Sequence, residues 1–267
     1  MINIIVCCKQ ILDPEVPPAN FRIDPLENTV IPPPDMSPVT SPFDEQAVEA
    51  ALRIKDAQDA HITVITLGTG LLPQVVKRPL AMGADELVLL EDEAFAEGDS
   101  WSTAYALSKA IRRIGSYDLI LCGRQAADWD NGLVGAGITE TLGLPCVTLA
   151  RKIDVAGDTA RVERVTPDGY EIVEADLPLL VTVSNELGEA RFPTIKGIRA
   201  SKKMDPVIWS PSDIEADPAQ IGTAGRRSKL IRLYQPVRED LCEIIEGESE
   251  EEAAENLALR LREAKVL

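Results

Sequence analysis

One histidine, His61, is all that the 267 residues contain, and none of the five cysteines (Cys7, Cys8, Cys122, Cys146, Cys242) falls in a Cys-x-x-Cys pair. A Cys/His zinc cage therefore has no material, and a Ser–His or Cys–His nucleophile has no convincing base. Aromatic residues amount to 4%, so a core must be built from Val, Ile, Leu and Ala. No Gly-x-x-x-x-Gly-Lys-Ser/Thr run and no Gly-x-Ser-x-Gly occurs, which sets aside P-loop and nucleophile-elbow chemistry. No apolar stretch approaches the roughly 18 residues of a membrane span. The first run, residues 2–8, ends at Lys9 and Gln10 and has no charged segment before it. Basic charge is also scarce: 27 Lys+Arg face 44 Asp+Glu, for a formal charge of −17. Recognition of a phosphate backbone needs a concentrated basic face, so nucleic acid is a poor partner and a protein or cationic surface a better one. A cytoplasmic protein with buried, reduced thiols and no membrane insertion is expected.

What is present is alternation. Short apolar runs at residues 2–8, 61–67, 86–90, 117–122 and 145–149 read as strands buried on both faces. Between them lie helical stripes: Phe43, Ala47, Ala51 and Ile54 in 43–59; Ala104, Leu107, Ile111 and Ile114 in 101–114, with Asp99 or Ser100 as N-cap; and Val134, Ile138 and Leu142 in 131–142. Strand–helix alternation predicts an α/β fold with a doubly wound, mostly parallel sheet. Two stretches interrupt it. Residues 11–42 carry nine prolines, with room for a hairpin over 20–31 turning near Leu26 and Asn28. Residues 152–175 read as two polar-alternating strands around Pro167-Asp168-Gly169, a turn signal. Residues 177–183 form a further buried strand, and 184–203 a long surface loop with a short helical end. Acidic charge then concentrates in 239–263, where Ser249 is a fair N-cap and Ala253, Leu257 and Leu261 make an apolar stripe. That stripe belongs either to a solvated helix or to an arm docked on a partner.

Gly68-Thr69-Gly70 follows a strand, but Pro73 stands where a dinucleotide fingerprint needs its third glycine. The informative segment is Gly123-Arg124-Gln125-Ala126-Ala127-Asp128-Trp129-Asp130-Asn131-Gly132-Leu133-Val134-Gly135. It leaves the carboxyl end of a strand and enters a helix at about Asn131, where ligands of open parallel sheets bind and free N–H groups suit a phosphate. Gln125 suits a base or ribose. Asp128 and Asp130 read equally as helix caps or ribose ligands, and the whole segment as a nucleotide site or a capped loop.

These residues resemble the β subunit of an electron transfer flavoprotein. The resemblance rests on Ile5-Val6-Cys7-Cys8-Lys9-Gln10, on Ser41-Pro42-Phe43-Asp44-Glu45 with Ala47-Val48-Glu49-Ala50-Ala51, and on Gly123-Arg124-Gln125-Ala126. Ala81-Met82-Gly83-Ala84-Asp85 and Arg191-Phe192-Pro193-Thr194-Ile195 with Lys202-Lys203 support it. It covers residues 2–204 and fits more loosely beyond. It implies an adenine-nucleotide-binding, Rossmann-like domain over 1–204, with a hairpin insertion, and a C-terminal arm over 205–267 that docks on an α subunit. It also implies an electron carrier rather than an enzyme. FAD would be shared with the α subunit, and AMP or a second FAD bound in this chain. Donors of the acyl-CoA dehydrogenase type and acceptors of the quinone oxidoreductase type would be its redox partners. By position, Cys7, Ser41, Pro42, Phe43, Asp44, Leu67 and Gly123 through Val134 would contact nucleotide. Arg191, Phe192 and Ile195 would meet the dehydrogenase, with Ile195 as anchor. Asp128-Trp129-Asp130-Asn131-Gly132-Leu133-Val134-Gly135 is nearer the Asp-Gly-Asp-Thr-Ala-Gln-Val-Gly of bifurcating, FAD-type members than the Asp run and Asn-Gln-Thr-Gly of AMP-type ones. Residues 222–229 also resemble a tail segment of the FAD type, and Pro14 replaces a residue often aromatic in the AMP type. Two other readings stand beside this one: an adenine-nucleotide hydrolase or ligase, which lacks its Ser-Gly-Gly-x-Asp-Ser loop here, and a nucleotide sensor without redox role.

Overall fold

The first apolar run forms β1 (Ile2–Cys8), with every side chain from Ile4 onward buried. The computed structural model describes residues 1–235 and 242–266. After β1 the proline-rich stretch makes only short pairs: β2 (Gln10–Ile11), β3 (Arg22–Asp24), β4 (Thr29–Ile31) and β5 (Val39–Thr40), with β3 and β4 the expected hairpin. Then follow α1 (Pro42–Ala57), β6 (Ala60–Gly68), the short helices α2 (Pro73–Val76) and α3 (Arg78–Met82), β7 (Glu86–Glu91), α4 (Ser100–Ile114), β8 (Leu119–Gly123) and α5 (Val134–Leu142). The second half adds β9 (Cys146–Ala156), β10 (Thr159–Thr166), β11 (Gly169–Asp176), β12 (Leu179–Val183), α6 (Ile195–Ser201), β13 (Val207–Trp209) and α7 (Glu250–Glu263).

Nine of the described strands form one sheet in the order β11-β10-β9-β12-β8-β1-β6-β7-β13. The seven from β9 to β13 run parallel, while β10 pairs antiparallel with both β9 and β11. Period-two alternation sends Ile4, Val6, Leu119 and Leu121 to the α1 face and Ile5, Cys7, Ile120 and Cys122 to the α4–α5 face. Each fully buried Ile, Leu or Val contributes about 1.5–3 kcal/mol, so the near-continuous apolarity of the central strands is what a sheet covered on both sides requires. Asp99 caps α4 by accepting from the N–H groups of Trp101 and Ser102, as expected.

Two boundaries and one burial pattern differ from expectation. Helix α5 begins at Val134, three residues later than Asn131, because Asp130 and Gly132 take positive φ (52° and 62°) and keep the chain out of a helix. Residues 205–225, expected in the arm, pack with the body: β13 extends the edge of β7, and Ile214 and Ile221 join the core. A three-residue strand is too short to show a period. Finally, Cys146 and Cys242 are exposed, and only Cys7, Cys8 and Cys122 are buried. Beyond Gly225 no described residue is buried. Among the described residues no helix is long and apolar enough to cross a membrane.

Candidate functional site

Strand order reverses beside β1: the chain goes from β1 to β6 on one side and later returns to β8 on the other. Loops leaving the carboxyl ends of β1 and β8 therefore diverge, at the position where open parallel sheets form a ligand crevice. The N-termini of α1 and α5 point into the same region.

Asp44, in the first turn of α1, ties the two loops together. Its Oδ2 accepts the backbone N–H of Lys9 at 2.9 Å and its Oδ1 that of Gly123 at 3.2 Å. The carboxyl is buried. Burial pushes its pKa from 3.8 to about 7, against the pull of the two N–H donors and of the Lys9 charge. Residue 123 must be glycine for this contact, since a Cβ would stand 2.5 Å from Asp44 Oδ1 and 2.8 Å from the Phe43 carbonyl carbon. Ser41 is fully buried and its Oγ sits near the same carboxylate, yet it forms no well-shaped hydrogen bond with the protein. A buried hydroxyl without a partner costs free energy unless something else satisfies it.

The loop after β8 is held by side chains on every flank. Lys9 Nζ donates to Asp128 at 2.7 and 2.9 Å. Gln125 Nε2 donates to Asp130 Oδ1 at 2.7 Å. The Arg124 guanidinium lies 4.8 Å from the Phe43 ring centre and donates to Asn185 Oδ1 at 2.9 Å, while its Nε is buried and unpartnered. Neither Asp128 nor Asp130 caps α5, whose N-cap position is Leu133 without a side-chain bond. The first-turn N–H groups of α5 thus keep the orphan donors of a helix start. Trp129 (52% exposed) and Leu133 (61%) project from the loop, and Asn131 reaches Ser100 at 3.5 Å.

The structure gathers Ser41, Pro42, Phe43, Asp44 and the loop from Gly123 to Val134 at one end of the sheet. Leu67 is half-buried at the end of β6, packed against the core below. Cys7 points the other way, into the α4–α5 core, directly opposite Cys122, whose thiol is pushed up by its hydrogen bond with Cys7 and by burial. Lys9 and Gln10, which appeared only within the opening motif, and Asn185 were not among the expected contacts. Gln10 braces the loop after β6 by donating to the Gly70 carbonyl at 3.1 Å and accepting the Leu72 N–H at 2.8 Å. The available signal was position: Lys9 and Gln10 end an apolar run at a strand's carboxyl end.

Arg191, Phe192 and Ile195 lie elsewhere, after β12. Phe192 and Ile195 are 81% and 72% exposed, whereas Arg191 is tied to Glu49 and Asp56 of α1. His61 is at the opposite end of the sheet, in β6, 3.5 Å from Glu86. No described cluster of His, Cys, Asp and Glu could hold a metal ion. This end of the sheet therefore presents the uncapped first-turn N–H groups of α5 beside the side chains of Gln125 and Asn131.

A family model described as "Electron transfer flavoprotein domain" matches residues 38–214. The chain is 40% identical over 267 residues to the electron transfer flavoprotein subunit beta of Thermoanaerobacterium thermosaccharolyticum, covering 100% of both chains. It is 37% identical over 260 residues to the corresponding subunit of Megasphaera elsdenii, covering 95% of this chain and 94% of that one. It is 34% identical over 267 residues to the caffeyl-CoA reductase-Etf complex subunit CarD of Acetobacterium woodii, covering 100% of both.

Proposed function

The chain belongs to the electron transfer flavoprotein family as a β subunit, and from that premise we propose that it is the nucleotide-bearing, non-catalytic half of a heterodimeric electron carrier. Its α subunit holds most of a redox FAD, and this chain binds a second adenine nucleotide, of the FAD rather than the AMP type. One observation carries the nucleotide reading: the start of α5, without a side-chain cap, follows β8 at the switch point of the sheet. The phosphate of an adenine nucleotide would satisfy those first-turn N–H groups. Gly123 and Gly135 serve packing instead, against Asp44 and Phe43 and against Thr182.

The redox chemistry is the flavin's, and the protein's part is binding, orientation and electrostatics. Gln125 and Asn131 are placed to read polar edges of the nucleotide. Lys9 supplies positive charge beside the phosphate position, and its pair with Asp128 opens or shifts to admit the ligand. Trp129 is free to lie against a ring. Asp44 acts through backbone, holding the two loops at a fixed spacing. A dehydrogenase of the acyl-CoA type docks on the loop bearing Phe192 and Ile195 and passes its electrons to the flavin. They leave to a quinone oxidoreductase-type or other redox acceptor. The relative whose name places it in a caffeyl-CoA reductase-Etf complex supports a donor or acceptor acting on CoA thioesters. The chain beyond Gly225 docks on the α subunit, which would cover Ile231, Tyr234 and Ile244 (89%, 65% and 79% exposed). The protein works in the cytoplasm.

Counting nucleotides after denaturing the purified heterodimer tests this reading. Two FADs per heterodimer are expected; one FAD with one AMP would overturn the FAD-type assignment. ATP turnover by a flavin-free protein would instead favour an adenine-nucleotide hydrolase or ligase, and AMP binding without flavin a sensor.

A further inference from the structure

One ion-pair cluster has no part in holding a nucleotide. Arg191 donates its backbone N–H to Glu49 Oε2 at 3.1 Å and its Nε to the same oxygen at 2.7 Å. Its Nη2 donates to Glu49 Oε1 at 3.2 Å and to Asp56 Oδ2 at 2.7 Å. Glu49 is buried in the middle of α1 and also accepts from Arg53 Nε at 2.9 Å. Planar, two-point Arg–carboxylate contact of this kind fixes direction as well as distance.

Six residues on, the chain is fastened again. A Cβ at Gly197 would stand 2.2 Å from the Ala81 carbonyl oxygen, so the first turn of α6 lies backbone to backbone against the end of α3. Thr194 caps that turn, its Oγ1 accepting the Gly197 N–H at 3.0 Å. Between the two fastenings Phe192 and Ile195 project outward, 81% and 72% exposed. A slack loop would fold such side chains down onto the protein. Here Arg191 at one end and Gly197 at the other prevent it.

We propose that Arg191 is a positioning residue for donor docking: through Glu49 and Asp56 it holds the loop so that Phe192 and Ile195 meet the dehydrogenase together. This rests on the reading of that loop as the donor's docking site. Arg191 itself then touches no donor. Its contribution is to order the loop before the encounter, so that docking does not bear that entropy.

The experiment measures reduction of the complete heterodimer by a purified short-chain acyl-CoA dehydrogenase and its acyl-CoA. Arg191→Met should raise the dehydrogenase's KM for the carrier about 5- to 20-fold with kcat within twofold. Arg191→Lys, which keeps the charge but not the two-point contact, should fall between it and the wild type. Asp56→Asn, which removes one outer charge and leaves Glu49 paired, should raise KM about two- to threefold. Ile195→Ala separates the proposal from its premise. If Ile195→Ala raises KM and neither Arg191→Lys nor Asp56→Asn does, the positioning role is overturned while the docking site stands. If Ile195→Ala leaves KM unchanged, the docking site is wrong and the proposal falls with it. If Arg191→Met loses flavin, the decision passes to Arg191→Lys and Asp56→Asn, whose unchanged KM refutes it. A fall in kcat at constant KM also overturns it.

Discussion

Asp44→Asn removes one titration and keeps the shape of the side chain, which makes Asp44 the best place to test the account of the crevice. Its carboxyl titrates at about 7 in the folded chain against 3.8 ordinarily. An acid with a raised folded pKa binds its proton more tightly when folded. Its stabilising contribution is therefore complete below pH 3.8, falls as pH rises towards 7, and changes little above that. At about 1.4 kcal/mol per unit of pKa, wild type should lose on the order of 2–3 kcal/mol relative to Asp44→Asn between about pH 5 and pH 8. In the variant, the side-chain amide places an N–H donor against one of the two backbone N–H groups, which gives a constant offset without a slope. The assay is urea unfolding of both proteins, each with its partner subunit, at pH 5, 6, 7 and 8. The difference between the two stabilities isolates Asp44 from the other 43 acidic side chains. Parallel curves over this range would refute a carboxyl whose burial outweighs the pull of its two N–H donors. So would a difference that grows only above pH 7.5.

Three further outcomes follow from the geometry. Gly123→Ala forces a methyl against Asp44 and Phe43; overpacking of this kind costs about 1–3 kcal/mol. It should lower both the melting temperature and the nucleotide recovered after denaturation, and full nucleotide at an unchanged melting temperature would contradict it. Asp99→Ala removes the α4 cap, about 1 kcal/mol, together with the bonds that Asp99 Oδ2 accepts from Arg227 N–H, Ser228 N–H and Ser228 Oγ at 2.8–2.9 Å. Burial opposes its charge, but the N–H donors of Ser102, Arg227 and Ser228 hold the carboxyl well below the usual carboxylate range. The junction should thus be firm at neutral pH and loosen only in acid, while the variant's arm is cut faster by protease at pH 7. Ile195→Ala should weaken reduction by the dehydrogenase without changing flavin content or melting temperature, and unchanged reduction would remove Ile195 from docking.

The central strands and the three long helices were legible because burial on both faces writes a continuous apolar code, and on one face a 3.6-residue stripe. The hairpin at 22–31 and the turn at 167–168 were legible from Pro, Gly, Asn and Asp chemistry. Strand β13 was not, because three residues hold no period, and its neighbours Ile214 and Ile221 reach the core from an irregular chain. Within the site, sequence position located the loops but not the division of labour among them. Asp44 and Arg191 both stood among residues expected to touch a ligand or partner. Both have their polar atoms engaged with the chain itself: Asp44 with backbone N–H groups 35 and 79 residues away, Arg191 with α1. Long-range pairing of this kind leaves no local signature, since nothing within a few residues of Arg191 marks Glu49 as its partner.

The same distinction explains the C-terminal segment. Ser249 caps α7 by accepting the Glu252 N–H at 3.2 Å, and the Glu252 carboxylate accepts the Glu248 N–H at 2.7 Å. Glu250, Glu251 and Glu252 stand at the positive end of the helix dipole, Arg260 and Arg262 at the negative end. Arg260 pairs with Glu243 at 3.1 Å and Asn256 donates to the Glu246 carbonyl at 3.1 Å. Every one of these interactions is local and exposed, so each is weak in water, and a helix of 14 residues is marginal on its own. They suffice to shape the segment without burying it, which leaves Leu257 and Leu259 open (47% and 60% exposed). An α-subunit surface that covered the Ala253, Leu257 and Leu261 stripe would therefore complete a helix that is marginal by itself. The acidity of this segment, concentrated where the fold needs no core, sets the charge such a surface must complement: apolar at its centre and basic at its rim.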